Sequence, residues 1–237
     1  MIRKKIISII IPAFNEAKTI IKVLDKINSL KLKNFNFEII VINDGSKDKT
    51  LNILKKNKKK YHKLVSNKKN LGKGASVKKA LKLAKGEYIF FQDADLEYDP
   101  NNLKQFSNIL YNFDPDIVIG SRFNYLEFTR SYNFINKLGN QIITLLFNIL
   151  YNTTFTDIYS GHSCIKRKNI NPDNLKTNGW EQHAEILAYA TKKGEKFYEV
   201  PINFNGRTHK EGKKIRWYHI FKVIITMLLV RLKKFKN

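Results

Sequence analysis

Two apolar periods alternate along the first half of this chain. Ile6–Ile11 is a β-branched run closed by Pro12, the composition of a strand buried on both faces. Ile20, Val23, Leu24, Ile27 and Leu30 then recur at helical spacing, with Asn15 placed to cap that helix and Glu16 in its first turn. A second strand, Glu38–Ile42, runs into Asn43-Asp44-Gly45-Ser46, and a lysine-rich helix follows from about Lys49. The turn Asn70-Leu71-Gly72-Lys73-Gly74 opens a helix whose Val77, Ala80, Leu81 and Ala84 share one face. Next come a strand into Asp93, a helix after Pro100, and a strand Asp116–Ile119 into Gly120-Ser121-Arg122. This alternation with short connections predicts an α/β protein: one Rossmann-like, mostly parallel sheet with helices on both faces.

The second half is less regular. Asn136–Tyr151 and Trp180–Lys192 read as helices, Lys196–Pro201 as a short strand, and Asn205–Lys214 as a polar, basic loop. No repeat or linker divides the chain, so one domain is expected over residues 1–215. Residues 216–237 stand apart as a C-terminal amphipathic helix. Its apolar stretch is well short of the ~20 residues that span a bilayer. Trp217 and Tyr218 precede that stretch, and Arg231, Lys233, Lys234 and Lys236 follow it. Such a rim suits a membrane interface; docking on the protein's own core suits the pattern equally.

Composition narrows the class. With 43% hydrophobic and 12% aromatic residues in 237, the chain is globular and large enough for one sizeable core. A formal charge of +24 points to anionic partners: nucleic acid, an anionic membrane surface or phosphorylated small molecules. The single Cys164 excludes a disulfide framework and a cysteine-rich zinc site, which favours a cytoplasmic setting. The basic-then-apolar N-terminus is too short in its apolar part for a signal peptide and reads as the first strand.

The candidate chemistry lies at Asp93-Ala94-Asp95-Leu96-Glu97. Three carboxylates two residues apart raise one another's pKa unless a counter-charge intervenes. A hard divalent cation, Mg²⁺ or Mn²⁺, held by Asp93, Asp95 and Glu97 against a substrate diphosphate, resolves that conflict. Strand ends are also where open α/β sheets bind ligands. Nucleic-acid binding, the other reading of the positive charge, does not call for clustered acids, which would repel a phosphate backbone; no nucleic-acid partner is expected.

The order Pro12-Ala13-x-Asn15-Glu16, Asn43-Asp44-Gly45-Ser46-x-Asp48, Asn70-x-Gly72-Lys73-Gly74 and Asp93-Ala94-Asp95-Leu96 resembles the inverting family 2 glycosyltransferases of GT-A fold. Within them it is most similar to the polyprenyl-phosphate (dolichol-phosphate) mannosyl- and glucosyltransferases. The resemblance covers nearly the whole chain and implies roles. Pro12, Ala13, Asn15 and Glu16 would line the nucleotide-sugar pocket, with Asp44 beside the base or ribose. Lys73 and Gly74 would meet the nucleotide at a helix start, where backbone N–H groups favour anions. Asp93, Ala94 and Asp95 would flank metal and diphosphate, with Glu97 assisting.

Arg122, Arg130 and Arg207 correspond to arginines that grip the acceptor's phosphate and the donor's diphosphate, a task suited to guanidinium forks. Asp157, in Thr156-Asp157-Ile158-Tyr159-Ser160-Gly161, falls in the acceptor segment. That family continues this segment with an aromatic residue and then Arg or Lys, whereas this chain has His162-Ser163. His162 is read as structural, and Glu185 as a possible loop-orienting acid. The implied reaction moves a hexose from GDP-mannose or UDP-glucose to a polyprenyl phosphate, at the cytoplasmic face of a membrane with the enzyme peripherally attached. A glycan or other hydroxyl acceptor is the alternative; it would need a general base, with Asp157 or Glu185 as candidates.

Overall fold

A computed structural model describes residues 4–124, 127, 130, 134–207 and 219–233. The strands are β1 (Lys5–Ala13), β2 (Phe35–Asn43), β3 (Lys63–Ser66), β4 (Tyr88–Phe91), β5 (Ile117–Ser121), β6 (Ser163–Lys166) and β7 (Phe197–Pro201). The helices are α1 (Ile20–Ser29), α2 (Thr50–Lys56), α3 (Lys73–Leu83), α4 (Leu103–Phe113), α5 (Phe134–Tyr151), α6 (Gln182–Lys193) and α7 (His219–Leu232). The strands form one sheet in the order β3-β2-β1-β4-β6-β5-β7. All neighbours are parallel except β6, which runs antiparallel to both β4 and β5.

Period-2 alternation divides the core between the two faces. Ile7, Ile9 and Ile11 of β1 pack with α1 and α4, through Leu24 and Phe106 among others. Ile10, with Ile40 and Ile42 of β2, packs on the other face with α3, α5, α6 and α7. Pro12, which has no N–H to donate, lies beyond the last β1–β4 pair, Ile10 with Phe91. The central strands therefore end together, and the loops after β1, β2 and β4 share one rim, as expected of an α/β sheet.

The expected cap on α1 is not observed. Thr19 holds the N-cap position, and Asn15 has left-handed backbone (φ 56°) in the preceding loop. The Asn15 carboxamide instead accepts from Lys47 N–H at 2.9 Å, while its own N–H donates to Ser46 Oγ at 3.0 Å. Glu16 likewise precedes the first helical turn. Short polar side chains that satisfy neighbouring loop backbone compete with capping in this way.

Both readings of the C-terminal segment have a counterpart in α7. Val223, Met227 and Val230 are buried against the sheet-side cluster, and the Tyr151 hydroxyl donates to the Met227 carbonyl at 2.7 Å. Phe221, Ile225, Leu228, Leu229 and Leu232 face outward. Trp217, Tyr218, Lys234 and Lys236 lie outside the described residues. No described helix is long and apolar enough to cross a membrane.

Candidate active site

The loops after β1 and β2 are stitched to one another before any ligand is considered. Besides the Asn15 bonds, Glu16 N–H donates to Thr50 Oγ1 (2.9 Å) and Ala17 N–H to Asp48 Oδ2 (3.1 Å). Gly45 at φ +66° is required here, because a Cβ would stand 2.4 Å from the Lys69 carbonyl carbon. Asp44 is buried, and its carboxylate accepts from Leu71 N–H, Gly72 N–H and Asn67 Nδ2 at 3.0, 3.0 and 2.7 Å. It therefore sets the course of the chain into α3.

A cavity of about 540 Å³ opens over these loops, within the usual size range of small-molecule sites. Pro12, Ala13, Glu16, Asp44, Lys73, Asp93, Ala94, Asp95, Glu97, Arg122 and Arg207 of the expected residues line it. Asn15, Gly74, Arg130 and Asp157 do not.

Each absence has a local cause. Asn15 is turned to the 46–48 loop. Gly74 packs against the loop before α6: its N–H donates to Asn178 O at 2.8 Å, and a Cβ would lie 2.8 Å from Asn178 C. With Leu71 and Gly72 N–H groups given to Asp44, the start of α3 is not an open anion cradle. The Lys73 ammonium is what it offers instead.

The acids are paired internally. Lys73 Nζ lies 2.6 Å from Asp93 Oδ1 and 5.3 Å from the Trp180 ring centroid. Arg207 Nη2 donates to Asp95 Oδ2 at 2.7 Å and to Glu16 Oε1 at 3.4 Å, and its Nε to Glu97 Oε1 at 3.1 Å. Burial, followed by the charges of Asp93 and Glu97, still pushes Asp95 up to about 7.

Among the described residues no three carboxylate, imidazole or thiol groups form a ready-made metal cage; Glu97 is turned to Arg207. Asp93 and Asp95 nevertheless fit a hard cation as part of its shell. Their donors are carboxylate oxygens beside a glycine cradle: a Cβ on Gly161 would meet Asp93 Oδ2 at 2.9 Å.

Arg122 is spent differently from the expectation. Its Nε and Nη2 form a two-pronged pair with Asp157, both at 2.7 Å, and its N–H donates to Asp157 Oδ2 at 3.0 Å. Asp157 is 0% exposed. Arg122 thus reaches the cavity with part of its fork already occupied. Arg130 bonds the Gly206 carbonyl at 3.0 Å, beside Arg207.

Glu185 is buried and accepts from Lys176 N–H, Thr177 N–H and Thr177 Oγ1, so it orients the loop that rests on Gly74. His162 is fully buried, and desolvation pushes its pKa down to about 3.

Pattern reasoning did not single out Tyr159, Trp180, His183 and Phe204, which line the same cavity. His183 is held neutral, pushed down by burial to about 4. The Gly179-Trp180 step before a helix was the only signal available for this wall. The cavity continues along α5 and α7, where Ile135, Gly139, Ile143, Ile220 and Val223 line it together with Asn136 and Asn140.

Comparison with known proteins identifies the family and the fold. The model of glycosyl transferase family 2 matches residues 8–171. A dolichyl-phosphate beta-glucosyltransferase of Trichomonas vaginalis is 28% identical over 240 residues, covering 94% of this chain and 72% of that protein. A dolichol-phosphate mannosyltransferase of Pyrococcus furiosus is 27% identical over 227 residues, covering 92% of this chain and 63% of that one. Among solved structures, glucosyl-3-phosphoglycerate synthase from Mycobacterium tuberculosis, in complex with Mn²⁺, uridine diphosphate and phosphoglyceric acid, superposes with a TM-score of 0.71. The two share 21% identity, with 96% of this chain and 79% of the other covered. The family match spans β1 through β6 and the whole acid loop, and on that ground this GT-A-fold chain belongs to glycosyl transferase family 2.

Proposed function

We propose that this glycosyltransferase moves a hexose from a nucleotide sugar, GDP-mannose or UDP-glucose, to a polyprenyl or dolichyl phosphate, inverting the anomeric centre. The observation that carries the proposal is the shape of the single cavity just described. One end presents Asp93, Asp95, Lys73 and Arg207; the other, between α5 and α7, is lined by Ile135, Ile143, Ile220 and Val223 beside Asn136 and Asn140. A donor diphosphate suits the first end, and the first isoprene units of a lipid phosphate suit the second.

Mg²⁺ or Mn²⁺ on Asp93 and Asp95 would supply electrostatic stabilisation of the departing nucleoside diphosphate. The chain's own residues do the remaining work. Lys73 and Arg207 bring positive charge to the diphosphate, and the Asp44-anchored loop shapes the nucleoside pocket. Arg122, at the cavity wall and held by Asp157, would meet the acceptor's phosphate, while Arg130, outside the cavity, would act through the segment that carries Arg207. A phosphate acceptor is already an anionic nucleophile and needs no base. The base candidates for a hydroxyl acceptor are occupied: Asp157 by Arg122, and Glu185 by its loop. This favours the phosphate reading over the glycan one.

Peripheral membrane attachment belongs to the same proposal. Ile135, Leu138, Ile142, Leu145 and Ile149 form an outward stripe at helical spacing on α5, beside the outward stripe of α7. Large exposed apolar patches mark interaction surfaces. The exposed Lys137, Lys222 and Arg231 near them favour an anionic leaflet. The test is transfer from UDP- and GDP-hexoses to a short polyprenyl phosphate, with and without Mn²⁺. Lipid-linked hexose is expected; transfer only to a soluble glycan would overturn the proposal.

A further inference from the structure

Beneath the acid loop lies a buried polar chain centred on His162. Gln92, the residue before Asp93, is 1% exposed, and its Nε2 donates to the Asp93 and Tyr98 carbonyls at 3.0 and 3.2 Å. These two bonds close the loop that carries Asp93, Asp95 and Glu97, and they fix the orientation of the Gln92 amide. Its Oε1 must then face His162 Nε2, 3.1 Å away.

On the other side, Asn102 donates through Nδ2 to the Asn203 carbonyl (3.0 Å) and accepts through Oδ1 from Asn203 N–H (3.2 Å). That pairing fixes the second amide, whose remaining N–H faces His162 Nδ1 at 3.4 Å. Two oriented amides therefore dictate one imidazole state: Nε2 protonated and donating, Nδ1 bare and accepting. The ring is held between Tyr98 and Phe90, at centroid distances of 4.7 and 5.0 Å.

The ends of this chain are the two halves of the site. Gln92 leads to the acid loop. Asn102 leads to Asn203 and the segment that carries Phe204 and Arg207, whose Asn205 N–H in turn donates to the Glu97 carbonyl at 2.9 Å. Given the reading of Asp93 and Asp95 as the metal–diphosphate site, on which this rests, we infer that His162 is a positioning residue. Through Gln92 and Asn102 it sets where the acid loop stands relative to Arg207. A purely aromatic residue at this position could fill the space but could not join the two amides.

Calorimetric titration of the full chain with UDP and with GDP, each with and without Mn²⁺, tests the inference. Wild type should bind one nucleotide more tightly with Mn²⁺ than without. His162→Phe keeps the ring packing and removes both links. It should weaken the Mn²⁺-dependent binding at least tenfold while leaving metal-free nucleotide binding within about twofold, because the Asp44 loop is untouched; loss of packing alone would weaken both. The Gln92→Met variant should do the same, and the double variant should lose no more than the worse single one. Should His162→Phe not fold, Gln92→Met reports the same link from its other end. Mn²⁺-dependent binding within twofold of wild type in these variants overturns the positioning role and leaves the donor reading standing. Failure of wild type to bind either nucleotide with Mn²⁺ overturns the donor reading, and this inference with it.

Discussion

Acid should destabilise this protein through His162 before most of its carboxylates titrate. The imidazole is fully buried, and desolvation pushes its pKa down to about 3, opposed by the carboxylates of Asp93 and Asp99 and reinforced by the Lys73 ammonium. An unfolded histidine titrates near ~6.5. Between these two values the unfolded chain binds the extra proton, so stability is intact at neutral pH, falls as pH drops through 6.5 and levels off near 3. At pH 5 His162's share of the loss relative to pH 8 is roughly 2 kcal/mol, about 1.4 kcal/mol for each pH unit below the unfolded value. For a chain of this size that is about 4–8 °C in Tm. His183, pushed down to about 4, adds a share that cancels when wild type is compared with a His162 variant.

Asp95 acts with the opposite sign: its raised pKa makes the folded state bind the proton as pH falls through about 7. The informative quantity is therefore the Tm difference between wild type and His162→Phe, followed by near-UV circular dichroism at pH 8 and pH 5. Wild type should lead at pH 8, and its lead should shrink by about 4–8 °C at pH 5. The imidazole NMR signal of His162 should meanwhile stay in its neutral position to pH 5. A constant lead, or a His162 signal with its midpoint near 6.5, would refute the reasoning.

Asp157→Asn takes the charge partner from the partly buried Arg122 and should cost on the order of 3 kcal/mol, read by urea unfolding; a loss below 1 kcal/mol would show that the pair is not structural. Arg207→Gln frees Asp95 and Glu97 from their guanidinium, so Mn²⁺ alone should bind about tenfold tighter, a gain of ~1.4 kcal/mol, measured by electron paramagnetic resonance; unchanged affinity would mean that Arg207 does not compete with metal. Ile149→Glu with Leu229→Glu, both on outward faces, should reduce sedimentation with anionic liposomes more than tenfold without lowering Tm by more than about 2 °C, surface changes being nearly neutral; retained binding would exclude the α5–α7 face as the membrane contact.

The sheet was legible because the central stretches 9–11, 39–42, 88–91 and 117–119 are buried on both faces and so are continuous apolar runs. β3 and β6 escaped the pattern for physical reasons. Lys63–Ser66 is an edge strand, only partly buried, and needs little hydrophobicity. Ser163–Lys166 is four residues long, and its antiparallel direction depends on the chain's return from α5, which no local period encodes. The strand-end motifs and the basic loop brought Asp93, Asp95, Glu97, Arg122 and Arg207 to one cavity, but could not show their partners. That Arg122 is claimed by Asp157 and Arg207 by Asp95 are contacts across 35 and 112 residues. Spacing cannot show which of two cations reaches which acid. The Asn15 cap failed for a related reason: its competitor, Lys47 N–H, belongs to another loop.

The pairing of acids with Lys73 and Arg207 explains how a +24 chain keeps an acidic site intact. Asp93, Asp95, Glu97 and Glu16 gathered without counter-charge would repel one another in a partly desolvated cavity, where Coulomb terms are several times stronger than in water. Lys73 and Arg207 reduce that repulsion while the protein is free, though two cations serve four acids and Asp95 still stays raised. Breaking a buried ion pair by deleting one partner is costly because a charge is left alone. Exchanging partners is not subject to that cost. If a divalent cation takes over Asp93 and Asp95, the same ammonium and guanidinium groups are released beside a diphosphate that needs them, so no cation loses one partner without gaining another. On this argument metal and nucleotide bind best together. Metal alone displaces cations that have no other partner to meet, and nucleotide alone brings negative charge to acids that are already short of counter-charge.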